Sequence, residues 1–356
     1  MNAKPPLRPG PQPFSDQRAH HRAHHRAHQR GVTLIELMVG LTLGLIVAVA
    51  LLLLFANASS NAQNLVRAST QIENGRYVSE LLREDIRLAG FFGEWPDTST
   101  AVVYTDPSPC LTVPTGFVSS PFGLPAPLQG FKPTDTVTCL TNRKAGTSAL
   151  ALRRLAVNTT AVGSVVASDQ QYFVQYSFCS TDPASTRLIF NTSAAAFTLK
   201  NLACGAVNPV RAYVSRVYYV ADCNVCSGAA ADTTPTLKRV DLVGNQLVLT
   251  ALAEGVEALR FEYGFDATSD GAADSYLIDS AAPGASGATA LWQNVMTVKV
   301  HFIVRSLEKV SGGPSTAAVG AFLLGNVTSV NDPGDGYARR VYSSTIRLNN
   351  PSGARE

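Results

Sequence analysis

A continuous apolar run stands out near the start of the chain. Residues 32 to 56 read VTLIELMVGLTLGLIVAVALLLLFA and contain a single charge, Glu36. A run of about 25 residues can cross a bilayer as a helix, because each residue adds about 1.5 Å. The small residue Gly31 precedes the run, whereas a secretory signal peptide is cut beyond a shorter apolar region. The pattern therefore predicts a membrane-spanning helix.

Apolar residues recur at steps of three and four beyond this run, at Leu65, Ala68, Ile72, Gly75, Val78, Leu82, Ile86 and Ala89. Such a stripe is typical of an amphipathic helix. The helix should end between Gly90 and Pro96, where the sequence GFFGEWP combines two glycines with a proline. The sequence therefore predicts one long helix over residues 32–93, a membrane span continued by a stalk.

Short runs with a period of two fill the remaining residues, 94–356, and are separated by turn-forming residues. The clearest predicted strands cover residues 259–265, 298–304 and 342–348, and a less regular one covers 212–220. The predicted fold class is therefore α+β, with the long N-terminal helix packed on a mainly antiparallel β domain. Residues 106–235 have long loops and are interpreted as an insertion of variable surface.

All of the cysteines lie after the apolar run, at Cys110, Cys139, Cys179, Cys204, Cys223 and Cys226. An even number in one exported region indicates disulfides and an oxidising compartment. Six cysteines allow 15 connectivities, and the order along the chain suggests pairing each cysteine with its neighbour. The last pair has the spacing of a redox motif, but a β-rich context without a βαβ core favours a structural disulfide.

The most informative feature of the composition is the distribution of charged residues along the chain. The chain is 46% hydrophobic and 15% charged, which is typical of a folded protein. Residues 1–31 contain six basic residues and only one acidic residue, Asp16. This excess accounts for the net positive charge, so the body is about neutral and offers no footprint for nucleic acid. Five of the six histidines also lie in this leader, and only His301 is left for chemistry downstream. No nucleophile elbow, paired-histidine motif or phosphate loop is present, so an enzyme is disfavoured.

The segment from Arg30 to Val39, RGVTLIELMV, resembles the type IV prepilin processing signal. In that family a basic leader ends in glycine and is followed by an apolar helix with glutamate at the fifth mature position. The resemblance implies that prepilin peptidase removes the leader after Gly31 and methylates the new amine on Val32. Val32 departs from the family's usual phenylalanine.

A second resemblance is to the PilW-type minor pilins. It rests on LREDIRLAGFFG at residues 82–93 and on three C-terminal runs at residues 254–264, 292–306 and 339–350. It implies a pilin-like fold and a non-enzymatic role in initiating or assembling a type IV pilus. The implied partners are other minor and major pilins and the inner-membrane assembly platform. The leader would be cytoplasmic and the body periplasmic, before the subunit enters the pilus at the cell surface.

Two other functions remain open. The processing signal equally suits a minor pseudopilin of a type II secretion system. A membrane-tethered adhesin would instead carry its specificity in residues 106–235.

Three residues of the apolar run are candidate assembly residues. A carboxylate within an apolar span is costly, so Glu36 is interpreted as the partner of the Val32 amine, in the same or a neighbouring subunit. A charge that snorkels to the membrane edge is the alternative. Gly40 and Gly44 have the GxxxG spacing, which lets helices approach closely.

The loop after residue 265 spaces acidic residues as a calcium loop does. Asp266, Asp270, Gly271 and Asp274 fall at positions one, five, six and nine of the EF-hand spacing. Thr268 at position three and Leu277 at position twelve depart from it. A weak calcium site and an Asp/Gly-rich turn without an ion are therefore the two interpretations.

We predict cleavage between Gly31 and Val32, because the basic leader, the glycine and the apolar run come in that order. Intact-mass or N-terminal analysis of the mature chain should find Val32 first. A mature chain that keeps its histidine-rich leader would contradict this prediction.

Overall fold

The computed structural model describes residues 31–94, 102–278, 292–310, 320–325 and 328–355. The leader up to Arg30 lies outside these residues. The chain divides into two compact units, Met1–Ala58 and Ser59–Glu356. The division falls inside one helix.

The helix α1 spans Leu34–Leu88 and is 55 residues long. In the first unit its large apolar side chains are exposed, for example Leu54 at 66% and Phe55 at 74%. This part is long and apolar enough to cross a membrane. The helix ends at Leu88, slightly before the predicted 93, because Gly90 adopts a left-handed backbone with φ of 74° and its N–H donates to Arg153 O at 2.9 Å.

The second unit is mainly β. Within the described residues its elements are β1 (Val103–Thr105), β2 (Val118–Ser119), β3 (Phe122–Pro125), β4 (Leu128–Phe131), β5 (Ala149–Leu155), β6 (Phe173–Tyr176), β7 (Leu188–Asn191), β8 (Arg211–Ala221), β9 (Thr236–Val243), β10 (Gln246–Glu254), β11 (Val256–Phe265), β12 (Ser275–Ile278), β13 (Val295–Arg305), β14 (Ala321–Leu324), β15 (Thr328–Asn331), β16 (Arg339–Arg347) and the short helix α2 (Asn349–Gly353).

These strands form two principal sheets. The larger has seven strands, with the order β10-β9-β8-β5-β4 and with β6 and β7 joined to the side of β8. The smaller has the order β12-β11-β13-β16. The pairings in both sheets are antiparallel. The predicted fold class, α+β with a mainly antiparallel sheet, is therefore confirmed, and the four predicted strands fall in β8, β11, β13 and β16.

The last part of α1 covers both sheets. Val78, Leu82 and Ile86 are fully buried. They belong to one core with Leu128, Leu150, Tyr218, Val220 and Leu237 of the larger sheet and with Leu259, Phe261, Val300, Phe302 and Ile346 of the smaller one. At Gly75 the helix lies so close to the smaller sheet that a Cβ would stand 2.1 Å from Tyr342 Cζ. A glycine is therefore required at this contact.

The predicted stripe is longer than the buried one. Leu65 is 72% exposed, and Ala68 and Ile72 are only half-buried. The first helix residue that is buried is Gln71, whose amide donates to Val304 O at 2.6 Å and to Ala338 O at 3.0 Å. Tight packing on the sheets thus begins at Gln71. The periodic residues before it do not belong to the buried stripe.

Residues 106–235 are more than an insertion at the surface. Their strands β5 and β8 lie in the middle of the larger sheet, where β5 pairs with β8 and β8 pairs with β9. They also supply Leu150, Leu152, Tyr218 and Val220 to the main core. The expectation of a variable surface therefore holds at most for the loops between these strands.

The three disulfides join neighbours along the chain, Cys110 with Cys139, Cys179 with Cys204 and Cys223 with Cys226. All three lie within residues 106–235. Each closes a loop between or beside the strands, and such links stabilise a fold mainly by restricting the unfolded chain.

We predict that Leu82→Ala lowers the free energy of unfolding by about 2–5 kcal/mol, because it removes buried methyl groups and leaves a cavity. Leu65→Ala is the matched control on the same helix, and it should change the stability by less than about 0.5 kcal/mol. Chemical unfolding of the full chain in detergent, followed by the near-ultraviolet signal of the body, measures both. Equal effects of the two substitutions would contradict the packing described here.

Candidate functional site

The start of α1 is built as a capping box. Thr33 precedes the first helical residue and Glu36 lies three positions further on. The Glu36 carboxylate accepts from Thr33 N at 3.2 Å and from Thr33 Oγ1 at 3.1 Å, and Glu36 N donates to Thr33 Oγ1 at 3.3 Å. These reciprocal bonds satisfy helix-start N–H groups that have no partner within the helix. The sequence signal for this cap is the spacing T-x-x-E over residues 33–36.

Because of this cap, the Glu36 carboxylate does not rely on the Val32 amine as its sole polar partner. A carboxylate at a helix start also gains from the helix dipole, so Glu36 has polar partners that do not depend on the predicted cleavage. Val32 itself is 72% exposed. The other expected partner of Glu36 is the Val32 amine that the predicted cleavage would create. The pairing of Glu36 with that amine stays a prediction.

Gly40 and Gly44 lie about one and two turns beyond Glu36 along α1. A Cβ built at either position would meet nothing within 4 Å. Because residues four apart share a helix face, the two glycines leave a shallow, open strip. Their predicted role in helix packing therefore concerns other chains and stays a prediction.

A groove in the second unit runs beside α1. Its volume is about 570 Å³, and it is lined by helix residues such as Val66 and Thr70 and by the loop at Leu307 and Glu308. Arg67 Nη2 lies 2.6 Å from Glu308 Oε2 and ties the helix to the loop. Val66 is 66% exposed and Leu65 72% exposed. This part of the helix is therefore held in place while its apolar side chains face outward.

His301, which is the one histidine after the leader, lies in a buried cluster. Its Nε2 is 3.3 Å from Glu262 Oε1, and its Nδ1 is 2.8 Å from Ser343 Oγ. Lys299 Nζ lies 3.5 Å from Glu262 Oε2. A Cβ on Gly325 would stand 2.1 Å from Glu262 Oε1, so the turn after β14 closes over the carboxylate. The cluster joins β11, β13 and β16.

The acidic loop after β11 is a turn, and the calcium interpretation is not supported. The Asp266 carboxylate accepts from the N–H groups of Ser269 at 2.6 Å and Gly271 at 3.0 Å. The Asp274 carboxylate accepts from the N–H groups of Ala267 and Thr268, and Asp270 accepts from Ala272 N. Among the residues described, no cluster of three or more His, Cys, Asp or Glu side chains could hold a metal.

The cation beside Asp266 is a side chain of the chain itself. Arg355 Nη1 lies 2.9 Å from Asp266 Oδ2, so the C-terminal residues are tied to this loop. Burial of Asp266 works against its charge, but the hydrogen bonds from Arg355 and from the Gly271 and Ser269 N–H groups outweigh it and lower the pKa of Asp266 to about 2. Sequence spacing alone could not reveal this, because Arg355 is far away along the chain.

Two family models match parts of the chain. Residues 217–350 match the model described as Type IV Pilus-assembly protein W, and residues 26–52 match the prokaryotic N-terminal methylation motif. The second match contains Gly31, Val32 and Glu36. Together the two matches support a PilW-type type IV pilin, which confirms the resemblance stated from the sequence. The motif and the apolar helix are consistent with membrane anchoring.

Among solved structures the chain is similar to a type IV-like pilin from Thermus thermophilus. The identity is 12%, the alignment covers 58% of this chain and 78% of that chain, and the TM-score is 0.26. No curated protein matches the chain. The similarity to the PilW-type pilins therefore rests on the two family models, each of which covers less than half of the chain.

We predict that Asp266 contributes a pH-dependent part of the stability. Its pKa is about 2 in the folded chain, against about 3.9 for an unfolded aspartate. The contribution is therefore complete above about pH 4 and is lost as the pH falls towards 2. In Asp266→Asn this part is missing, so the difference in unfolding free energy from the wild type should be constant at neutral pH and shrink between pH 4 and 2.

Asp270→Asn is the matched control, because it removes the same charge from an exposed position of the same loop. Thermal or chemical unfolding measured across this pH range compares the three chains. If the difference in unfolding free energy between wild type and Asp270→Asn shrank in the same way between pH 4 and 2, the Asp266–Arg355 pairing would not be the origin of the acid dependence.

Proposed function

We propose that this chain is a minor pilin that helps to initiate or assemble a type IV pilus and packs into it through its N-terminal helix. The observation that carries the proposal is the first part of α1, an exposed apolar helix whose one charge follows the predicted cleavage site. This helix leads into a body that matches a pilus-assembly family.

The exposed helix needs an apolar environment. Large side chains such as Leu45, Leu52 and Phe55 are 67%, 67% and 74% exposed, and so much apolar surface is unfavourable in water. Lipid supplies the environment before assembly, and the helices of other pilins supply it afterwards. Within the second unit, Leu65 and Val66 are also exposed, at 72% and 66%, and a groove lies beside Val66.

The proposed topology follows from charge and from the cysteines. The basic leader is retained on the cytoplasmic side, and the body reaches the periplasm, where its three disulfides are stable. The chain performs no catalysis. Prepilin peptidase acts on it by cutting after Gly31 and methylating the Val32 amine.

Cleavage then gives Glu36 a second partner. The new amine on Val32 is a cation, and pairing it with the Glu36 carboxylate of the same or a neighbouring subunit removes a charge from an apolar bundle. The capping bonds from Thr33 already orient that carboxylate at the start of the helix. The cap thus stabilises Glu36 in the precursor, and the amine sets the axial register in the filament.

The match to a pilus-assembly family favours a pilus over a type II secretion pseudopilus. An apolar N-terminal helix would pack equally well in a pilus or in a pseudopilus. The two functions are therefore distinguished by the phenotype of a strain that lacks this chain. Loss of surface pili in a deletion strain supports the pilus, whereas loss of secreted enzymes with pili intact would contradict it.

We predict that the charge of Glu36, and not its role as a cap, is what assembly requires. Glu36→Ala should leave the chain in the membrane, because removing a charge favours insertion, and should lower its incorporation into pili. Glu36→Gln keeps an acceptor for the capping box but has no charge, and it should fail in the same way. Incorporation is measured in sheared pilus fractions by immunoblot, beside the membrane fraction.

Thr33→Val is the matched control, because it removes the capping hydroxyl and keeps the charge of Glu36. It should be incorporated nearly as well as the wild type. The opposite pattern, in which Glu36→Gln assembles and Thr33→Val fails, would refute the pairing with the amine and assign Glu36 to helix capping alone.

A further inference from the structure

The third disulfide lies in the loop that joins β8 to β9. Cys223 and Cys226 are three positions apart, whereas the other two bonds join residues that are 29 and 25 positions apart. A disulfide stabilises a fold mainly by restricting the unfolded chain, and the effect grows with the length of the loop that it closes. The fold therefore depends least on the bond between Cys223 and Cys226.

The loop around this bond is held by other contacts. The Asp232 carboxylate accepts from the N–H groups of Val225, Thr234 and Asn224, each at 2.8 Å. These hydrogen bonds lower the pKa of Asp232, so the carboxylate is ionised and accepts them at neutral pH. The side-chain amide of Asn224 donates to Glu254 Oε1 at 2.5 Å. The loop should therefore keep its two cysteines close together when the disulfide is open.

A lysine ammonium lies against one of the two sulfur atoms. Lys238, on β9, is 4% exposed, and its Nζ is 3.2 Å from Cys226 Sγ. Burial lowers the pKa of Lys238, and the charge of Asp232 opposes that effect. A neutral cysteine sulfur is a weak acceptor, whereas a thiolate is an anion that a neighbouring lysine stabilises. The position of Lys238 therefore favours a reduced, ionised Cys226.

The sulfur atoms of the other two disulfides have neutral neighbours. Cys139 N donates to Cys110 Sγ at 3.1 Å, and Thr181 Oγ1 lies 2.9 Å from Cys179 Sγ. A neutral donor stabilises an anion less than an ammonium group does. The sequence context favours a structural role for the third bond because it has no βαβ core, but Lys238 supplies the stabilising charge from a strand.

We propose that Cys223–Cys226 is a redox-active disulfide, which a dithiol reduces through Cys226 while the other two bonds stay closed. Cys226 is half-buried and Cys223 is 7% exposed, so an incoming thiolate reaches Cys226 more readily. The thiolate attacks Cys226 Sγ, the bond to Cys223 breaks, and Cys223 leaves as a thiolate that takes up a proton. Because negative charge is shared by the three sulfur atoms during attack, Lys238 beside the middle one stabilises the transition state.

A second step releases the reduced protein from its mixed disulfide with the reductant. The other thiolate of the dithiol attacks the sulfur of its own molecule, and Cys226 leaves as a thiolate beside the Lys238 ammonium. The dithiol has then become a disulfide, and two electrons and two protons have passed to the two cysteines. An oxidised dithiol reverses both steps. This inference does not depend on the proposed role in a pilus.

The test uses the full chain with its disulfides formed, purified in detergent. Dithiothreitol is added at neutral pH without denaturant, free thiols are blocked with N-ethylmaleimide at successive times, and mass spectrometry follows each cysteine pair. Cys223–Cys226 should open at least about tenfold faster than the other two bonds, while the near-ultraviolet signal of the body stays. Oxidised dithiothreitol should close it again. Opening of all three bonds together, or loss of the near-ultraviolet signal as this bond opens, would overturn the proposal.

Lys238→Met tests the ammonium group, because methionine keeps most of the apolar stem and removes the charge. It should slow the opening of Cys223–Cys226 about tenfold relative to the other two bonds of the same molecule, and should raise the pH at which reduced Cys226 reacts with maleimide. Lys144→Met is the matched control, because Lys144 Nζ lies 3.4 Å from Asp222 Oδ1, beside the same loop. It should change neither measurement.

The other two disulfides are an internal reference, so the comparison holds even if a variant is less stable. If Lys238→Met keeps the wild-type order of opening and the wild-type pH profile, the proposal is wrong. It is equally wrong if Lys144→Met alters both measurements as much as Lys238→Met does.

Discussion

The structure depends on burying the last part of α1 between two sheets. Val78, Leu82 and Ile86 contact residues of both sheets in one core, so neither sheet has a complete apolar interior without the helix. Gly75 allows the approach to Tyr342, and Gln71 fixes the beginning of the contact through Val304 O and Ala338 O. The helix is thus a structural element of the body as well as its extension.

A charged group fixes how the helix sits on the larger sheet. The carboxylate of Asp85 is 5% exposed and lies 2.6 Å from Arg216 Nη1, while Tyr218 donates its hydroxyl to the same carboxylate. Burial and the neighbouring carboxylate raise the pKa of Tyr218, so it remains a donor. Arg216 also forms an ion pair with Asp241. Because a buried carboxylate without partners is costly, a rotation of the helix that broke these bonds would be strongly unfavourable.

Local periodicity was sufficient for the long helix and for the strands β8, β11, β13 and β16, whose apolar residues alternate or recur at regular steps. It was insufficient where distant partners decide burial. β5 reads ALALRRL, yet Arg153 within it is 1% exposed because its guanidinium donates to Gln129 Oε1 at 2.9 Å and to Pro107 O at 2.6 Å. Asp266 resembled a calcium ligand for the same reason, since Arg355 is its partner only in the folded chain. The Thr33–Glu36 cap, in contrast, was readable from the sequence.

The two parts of α1 differ in whether their apolar side chains are exposed or buried, and this difference has a consequence for assembly. From Gln71 onward the helix is held by the core and by buried polar bonds, and three disulfides restrain the same unit. In residues 34–58 the side chains are exposed and apolar, and the one charge, Glu36, has local partners in Thr33. The stability of the body therefore does not require any particular surroundings for the first part. Under the proposed function, the first part would exchange lipid for the helices of other subunits, both of which are apolar surroundings, and the core of residues 59–356 does not include the side chains involved.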